Sequence, residues 1–221
     1  MPQKCRARLE GYADRVLEMP PCADIPDATA THPDMLGYVC CGTLFVGGGY
    51  YRDNRAFFDA LGCDVEVCDV RYGKYPRDVY FNVFELGGKL YGLCDVTPDE
   101  IKSRYAETVR VKQGYAKCSS VVMDGAVVTA DLGIAEAVRA NGGDALTVRT
   151  GHVRLRGYEY GFIGGAVMSP SRGVLVCAGD LRTHPDAPEI IGFAARCGYT
   201  FDNIHDMDPL VDCGGILTIT F

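Results

Sequence analysis

The amino-acid sequence predicts an α/β protein, a five-bladed propeller of ββαβ units around a pseudo-fivefold axis, closed by pairing of the N- and C-terminal segments. Three observations predict this fold class. A pattern of hairpin, short helix, glycine stop and strand recurs along the chain, which is typical of repeat architectures. One further copy of the pattern is divided between the two chain ends. A length of 221 residues with 48% hydrophobic content suits one domain, assigned to residues 1–221.

The first two units are recognised by their turns and helix boundaries. In the first unit Gly42 marks the hairpin turn and Gly62 stops the helix. In the second unit the turn is at Gly87 and Gly88, and Thr97 begins a capping-box pattern. The predicted elements are strands 35–40, 43–46 and 65–68 with a helix over 55–61, then strands 79–84, 89–92 and 108–111 with a helix over 97–105.

The third and fourth units repeat the pattern with different turn residues. Asp124 and Gly125 form a hairpin dipeptide in the third unit, whose helix ends at Asn141. In the fourth unit Asp186 is the predicted helix cap and Gly198 the stop. The predicted elements are strands 119–123, 126–129 and 145–148 with a helix over 134–140, then strands 162–168 and 174–177 with a helix over 188–196.

The fifth unit is predicted to form from both ends of the chain. Residues 4–9 suit a helix, Gly11 a stop and 15–19 a strand, while residues 211–221 suit a hairpin fragment without a helix. Joining these pieces would remove the free edge that an open arrangement leaves. The alternative is a generic α/β domain in which the ββα spacing arises by chance.

Composition and motif content exclude several classes of function. The net charge is −7 and the 22 Lys and Arg residues are scattered, so no basic surface is predicted for nucleic acid. No apolar run reaches the ~18 residues that span a membrane, and the charged first 18 residues are unlike a secretory signal, which predicts a cytoplasmic protein. Without CxxC pairs, His and Cys at metal-ligand spacing, or phosphate-binding glycine loops, the sequence predicts no metal and no cofactor.

The ring model places particular residues at the axis. If the first strand of each unit lines the axis, the residues at the five openings share one central cavity: Asp34, Asp78, Cys118, Gly164 and Cys213. The tripeptide His32-Pro33-Asp34 precedes a predicted strand, where no helix needs a cap, so His32 and Asp34 are candidates for this cavity. The same tripeptide at 184–186 precedes a helix and is interpreted as structural.

Three short segments carry a resemblance to a known family. The segments are PRDV (76–79), GHVRL (151–155) and MDPLVDCGGILT (207–218). In this order they resemble the pentein superfamily of guanidino-group-modifying enzymes, which includes dimethylargininase, arginine deiminase and agmatine deiminase. Residues 111–118 and 157–165 are similar to segments of a bacterial family that has the same fold. No activity is known for that family.

The resemblance implies a Cys nucleophile, a His acid and base, and carboxylates that hold a cationic substrate. His152 and Asp78 match two of these roles. The nucleophile position falls on Ile219 or Leu217, so Cys213 is the nearest candidate and Cys118 the second. The usually acidic second motif corresponds to Lys112, Gln113 and Gly114. With Lys112, Arg77 and Lys117 near the site, the sequence indicates an anionic or zwitterionic ligand at least as strongly as an arginine derivative.

The sequence therefore predicts a protein of this fold that has lost the usual catalytic Cys and keeps an axial pocket for a small polar molecule. The alternative is a Cys/His hydrolase or amidinotransferase acting on a guanidino or amidino compound. The predicted catalytic residues are His152, Asp78 and Cys213. The predicted binding residues are His32, Asp34, Arg77, Asn82, Lys112, Gln113, Lys117 and Cys118.

Overall fold

The computed structural model describes residues 1–202 and 208–220 as a mixed α/β structure. In this described part, the helices are α1 (Gln3–Leu9), α2 (Pro33–Leu36), α3 (Gly48–Asp53), α4 (Arg55–Asp59), α5 (Asp99–Lys102), α6 (Leu132–Ala140), α7 (Ile163–Ala166) and α8 (Ala187–Arg196), with a 3-10 helix at Leu181–Thr183. The strands are β1 (Gly37–Cys40), β2 (Thr43–Gly47), β3 (Asp64–Cys68), β4 (Phe84–Leu86), β5 (Lys89–Gly92), β6 (Glu107–Arg110), β7 (Ser120–Met123), β8 (Ala126–Thr129), β9 (Asp144–Thr147), β10 (Val167–Ser171), β11 (Val174–Cys177) and β12 (Thr200–Phe201). None of these helices is long and apolar enough to cross a membrane.

Four three-stranded sheets share one plan. In each, two strands form an antiparallel hairpin and the third pairs in parallel with the second strand, giving the orders β1-β2-β3, β4-β5-β6, β7-β8-β9 and β10-β11-β12. Helices α3 and α4, α5, α6 or α8 lie in the crossover that leads to the third strand. The four complete ββαβ units predicted from the sequence are therefore present.

The middle strands β2, β5, β8 and β11 form the buried core of each unit. Leu44, Phe45 and Val46 of β2 are at most 1% exposed, and all four residues of β8 are buried. A middle strand is paired along both edges, and its side chains are covered on both faces. Such strands are continuous apolar runs and not alternating ones.

Three predicted strands begin later than the sequence indicated. The strand predicted over 79–84 begins only at Phe84 (β4), because the residues before it form turns. The other two start with the helical turns α2 and α7 in place of strand. In these turns the backbone amides donate to neighbouring units. The Asp34 amide donates to the Gly214 oxygen at 3.3 Å, and the Gly165 amide donates to the Cys118 oxygen at 3.1 Å. These tertiary hydrogen bonds fix the local conformation, and the local sequence does not encode them.

Two predicted helix caps differ in the structure. The helix predicted over 97–105 is shortened to α5, and the Thr97 hydroxyl donates to the Leu93 oxygen at 3.3 Å instead of capping. Asp186 occupies the cap position of α8, but its carboxylate accepts the Arg149 amide at 2.7 Å and makes no cap hydrogen bond. In both places a partner outside the helix has taken the capping group.

The chain ends contain α1 as predicted, but neither predicted terminal strand is assigned among the described residues. Residues 15–19 and 211–220 are not in a β-ladder, apart from a single bridge between Val211 and Arg154. Phe221, the last residue of the predicted hairpin, lies outside the described residues. The two terminal segments nevertheless line one cavity of about 210 Å³, so the ends of the chain lie side by side.

Candidate functional site

The unit openings meet in a buried polar cluster, called here the axial network and formed by Asp34, Asn82 and Cys118. The Asn82 side chain is 0% exposed, and both its amide nitrogen and its amide oxygen make hydrogen bonds. Its nitrogen donates to the Asp34 backbone carbonyl oxygen at 3.1 Å and to the Cys118 sulfur at 2.9 Å. Its oxygen accepts the backbone amides of Lys117 and Cys118 at 2.8 and 3.1 Å. Asn82 therefore joins three of the units.

The Cys118 thiol in this network is a hydrogen-bond donor. It donates to Asp34 Oδ2 at 2.9 Å. Burial, followed by the charges of Asp34 and Asp212, raises the pKa of the Cys118 thiol well above its usual range. Burial, followed by the charge of Asp212, raises the pKa of Asp34 to about 7. A thiolate here would lie beside carboxylates in a dry environment, so the thiol keeps its proton.

Asp212 is the second buried carboxylate of the centre. Its two oxygens accept the backbone amides of Phe162 and Gly214 at 2.8 and 3.0 Å, and Oδ1 lies 3.7 Å from His32 Nδ1. Burial raises the pKa of Asp212 and lowers that of His32, while each partner's charge opposes the shift of the other. A Cβ at Gly165 would overlap the Asp212 carboxylate, so glycine is required there.

A cavity of about 300 Å³ opens on one side of the axial network and is called the axial cavity. Its polar lining includes three carboxylates and one histidine, and four aromatic side chains form much of its wall. These residues are Asp78, Glu159, Asp212, His32, Tyr115, Tyr158, Tyr160 and Phe162, with Cys118 at the base.

Asp78 is held in the wall of the axial cavity by one hydrogen bond. Tyr115 donates its hydroxyl to Asp78 Oδ2 at 2.9 Å, and the Tyr115 ring stacks on Phe162 with centroids 5.8 Å apart. Asp78 is 5% exposed, and its Oδ1 is buried without a hydrogen-bond partner among the residues that the structure describes. A carboxylate oxygen in this position is available to a ligand donor.

The axial network separates this cavity from another of about 230 Å³ on its far side. Lys117, Asp34 and Glu85 line the far cavity. Lys117, predicted to bind the ligand, lines this far cavity and not the axial cavity. Arg77 and Lys112 are exposed and line neither the axial cavity nor the far cavity.

His152 and Gln113 lie in a separate cavity of about 180 Å³. The His152 ring packs edge-on against His184 with centroids 5.2 Å apart. Gln113 donates to Asp131 Oδ2 at 3.2 Å, and this cavity also contains Ser119. Of the residues predicted to be catalytic, His152 and Asp78 thus line different cavities.

Cys213 lines neither of these two cavities. Its side chain packs against the apolar cluster that includes Leu9 and Met168, with the sulfur 3.5 Å from the Gly165 oxygen. Burial raises the pKa of its thiol to about 12. The structure therefore does not bring Asp78, His152 and Cys213 together. The side chain of the preceding residue, Asp212, points to the axis in its place.

Sequence reasoning missed Asp212, Tyr115, Glu159 and Phe162 as members of the site. Asp212 could have been found by aligning the fifth opening one residue earlier, since adjacent side chains point in different directions. Tyr115 lies three residues before Cys118 and was identified only as part of a similar segment. Glu159 and Phe162 belong to a long connection, for which no local pattern gives a position.

Comparisons with known proteins place the chain as follows. The model of a family of unknown function (DUF6873) matches residues 1–217. No curated protein matches the chain.

Three solved structures are similar to it. They are a dimethylarginine dimethylaminohydrolase adduct with 4-chloro-2-hydroxymethylpyridine (13% identity, 50% of this chain and 47% of that chain, TM-score 0.35), DDAH from Pseudomonas aeruginosa complexed with citrulline (11%, 82% and 71%, TM-score 0.44), and SxtG, an amidinotransferase from Microseira wollei in the saxitoxin biosynthetic pathway (10%, 91% and 78%, TM-score 0.48). The matched part is about half the length of the first of these proteins. At 10–13% identity and TM-scores below 0.5, these likenesses assign no activity to this chain and no role to any of its residues.

Proposed function

Since the chain belongs to the DUF6873 family, whose function is unknown, we propose a function from its own residues: it binds a small organic cation in the axial cavity and does not transform it. The proposal rests first on charge. Asp78, Glu159 and Asp212 supply carboxylates to the lining, and His32 is its one titratable nitrogen group among the described residues. Burial lowers the pKa of His32, which favours the neutral ring. The cavity therefore attracts positive charge.

The single observation that carries the proposal is the buried oxygen Oδ1 of Asp78, which has no hydrogen-bond partner in the described chain. Leaving such an oxygen unsatisfied costs about 1–3 kcal/mol, and a ligand N–H donor removes that cost. The aromatic faces of Tyr115 and Phe162 beside it attract cations. A volume of about 300 Å³ suits a ligand such as a guanidinium or quaternary ammonium compound.

We propose that the bound cation is not transformed because the Cys118 thiol is protonated. Cys118 is the one cysteine that lines the axial cavity in residues 1–202 and 208–220. Nucleophilic catalysis needs a thiolate, whereas this thiol donates a hydrogen bond to Asp34 and burial raises its pKa well above the usual range. His32 lies against Asp212, so it is already engaged by a carboxylate.

We also propose that the four units and the two chain ends form a five-unit ring, with the axial network at its centre. The hydrogen bond from the Asp34 amide to the Gly214 oxygen supports this closure, because it joins the first opening to the fifth. The packing of Ile216 and Val16 on one apolar cluster supports it as well. The predicted location in the cytoplasm stays a prediction.

Isothermal titration calorimetry with agmatine and choline tests the cation proposal, with glutamate as the anionic comparison. Either cation is expected to bind and glutamate is not. Asp78→Asn removes the carboxylate charge and is expected to weaken binding at least tenfold, about 1.4 kcal/mol. Asp99→Asn is the matched control, since Asp99 is 93% exposed on α5 and lies outside the axial cavity.

Binding of glutamate in preference to both cations, or unchanged cation binding in Asp78→Asn, would contradict the charge argument. Conversion of agmatine during incubation, followed by proton NMR, would contradict the proposed lack of chemistry. If conversion were seen, its loss in Cys118→Ser would identify the thiol as the reacting group.

A further inference from the structure

The turn of the first hairpin contains two adjacent cysteines, Cys40 and Cys41. Cys40 ends strand β1 and pairs with Thr43 of β2, so Cys41 and Gly42 are the two turn residues. The Cys40 and Cys41 sulfur atoms lie 3.5 Å apart, which is close to contact for two sulfurs. All eleven cysteines lie in the described part of the chain, and Cys41 is the one among them that is exposed. The turn therefore presents a pair of neighbouring thiols at the surface.

The backbone of this turn is unfavourable for a cysteine. Cys41 has a φ of 52° and Gly42 a φ of 78°. Two-residue hairpin turns with positive φ at both positions usually contain Asn and Gly, because a β-carbon is crowded in the left-handed region. Among the residues that the structure describes, Cys41 is the one non-glycine residue with a positive φ. An unfavourable backbone conformation of this kind points to a function for its side chain.

The neighbouring thiol, Cys40, lies at the end of a hydrogen-bond chain. The Tyr38 and Tyr105 hydroxyls are 2.6 Å apart, and the Tyr105 hydroxyl donates to the Cys40 sulfur at 3.3 Å. Burial raises the pKa of the Cys40 thiol, while the Tyr105 hydrogen bond and the charge of Arg104 oppose that shift. Cys40 is therefore a less accessible thiol than Cys41, and a thiolate that forms on it is stabilised by a hydroxyl donor and a guanidinium charge.

We propose that Cys40 and Cys41 form a redox site, which a hydroperoxide such as hydrogen peroxide oxidises to a disulfide. In the first step the exposed Cys41 sulfur attacks a peroxide oxygen. An S–O bond forms, the O–O bond breaks, and the displaced hydroxide leaves as water with the Cys41 proton, so that Cys41 becomes a sulfenic acid.

In the second step the Cys40 sulfur attacks the sulfenic sulfur of Cys41. The S–S bond forms, the S–O bond breaks, and the hydroxide leaves as water with the Cys40 proton. The two thiols together lose two hydrogen atoms, and one hydrogen peroxide is reduced to two waters. The Tyr105 hydroxyl assists this step, because it stabilises negative charge that develops on the Cys40 sulfur.

The disulfide formed in this way is expected to be easily reduced. To reach a bond length of about 2.05 Å, the two sulfurs approach by only about 1.5 Å. Adjacent Cα atoms are about 3.8 Å apart, whereas a disulfide usually joins Cα atoms about 4.4–6.8 Å apart. This deviation strains the bond, and strained or exposed disulfides are the labile ones. A thiol such as glutathione therefore returns the site to the reduced state.

Peroxide treatment followed by mass spectrometry tests the proposal. The reduced protein is treated with a small molar excess of hydrogen peroxide, and the remaining thiols are alkylated in urea. Trypsin then releases residues 16–52 as one peptide, which contains Cys22, Cys40 and Cys41. In the wild-type protein this peptide is expected to carry one alkyl group, on Cys22, and to lack the two thiol hydrogens of Cys40 and Cys41. Glutathione added before alkylation is expected to restore alkylation of all three.

Matched variants assign the roles of the two sulfurs. Cys40→Ser is expected to stop at the sulfenic acid of Cys41, which dimedone traps. Cys41→Ser removes the attacking thiol and is expected to slow oxidation at Cys40 at least about tenfold. Cys63→Ser is the control, since Cys63 is a partly buried thiol that packs against the same apolar cluster as Cys40. It is expected to form the disulfide at the wild-type rate.

Four results would overturn the proposal. They are the lack of any disulfide in the wild-type peptide, a disulfide from Cys22 or between two chains in its place, oxidation of Cys41→Ser at the wild-type rate, and a disulfide that glutathione leaves intact. Neither Cys40 nor Cys41 lines the axial cavity, so the outcome does not depend on the cation proposal.

Discussion

Replacing Asp34 with asparagine is expected to make the free energy of unfolding less dependent on pH. Asp34 is fully buried, and burial together with the charge of Asp212 raises its pKa from 3.8 to about 7 in the folded protein. The folded protein therefore keeps a proton that the unfolded chain releases. The stabilising contribution of protonated Asp34 is fully present below pH 3.8 and is lost as the pH rises through 7.

The size of the effect follows from this difference in pKa. Each unit of difference corresponds to about 1.4 kcal/mol, so ionising Asp34 in the folded protein costs roughly 4 kcal/mol above pH 7. Between pH 5 and pH 8 the wild-type protein should lose about 3 kcal/mol of stability through this group. Asparagine stays neutral at every pH, and its side-chain oxygen can still accept the hydrogen bond from the Cys118 thiol.

Urea unfolding at several pH values from 5 to 8 measures this difference. The stability advantage of Asp34→Asn over the wild type should grow by about 3 kcal/mol across the range. Asp212 and His32 remain in both proteins, so the comparison isolates Asp34. Asp99→Asn, at an exposed carboxylate, should follow the wild type. Curves for Asp34→Asn and wild type that stay parallel within about 0.5 kcal/mol would refute the reasoning, because Asp34 would then have a similar pKa in both states.

Two further predictions concern the same centre. Asn82→Leu leaves the backbone amides of Lys117 and Cys118 without their acceptor and should lower the unfolding free energy by about 3–5 kcal/mol in urea titrations. Exposed Asn141→Leu should cost less than about 1 kcal/mol. Equal losses of unfolding free energy in the two variants would mean that the hydrogen bonds of the axial network do not stabilise the fold more than a surface contact does. Cys118 should react with iodoacetamide at pH 7.5 at least about 100-fold more slowly than exposed Cys41, as followed by peptide mass spectrometry. Comparable rates would show that the Cys118 thiol is open to solvent.

Local sequence signals were sufficient for the four complete units. Hairpins were predicted from glycine turns, and Gly125 and Gly88 do adopt positive φ values of 69° and 76°. The helix of the third unit, α6, was predicted from its sequence pattern. The Asp131 carboxylate caps it by accepting the Ile134 amide at 2.9 Å. These features depend on a few neighbouring residues, so the sequence alone determines them.

The candidate site was less predictable because it depends on contacts between units. The repeat predicts that the unit openings converge, and Asp34 and Cys118 from two openings are hydrogen-bonded to each other. Which residue of each opening points inward was not encoded locally. Gly214 has a positive φ of 78°, and the turn around it directs Asp212 inward while Cys213 packs among apolar side chains. The second opening likewise contributes both Asn82 to the network and Asp78 to the cavity wall.

The hydrogen bond between Cys118 and Asp34 connects the stability of the protein to its proposed lack of chemistry. This buried thiol joins two units by donating a hydrogen bond, and its raised pKa disfavours the thiolate. Ionising Cys118 would lose this bond and would place a buried negative charge beside Asp34 and Asp212, which raise the pKa of the thiol. The axial cavity thus keeps carboxylates that attract a cation, while the thiol at its base serves the structure. Binding without turnover is the outcome that this arrangement favours.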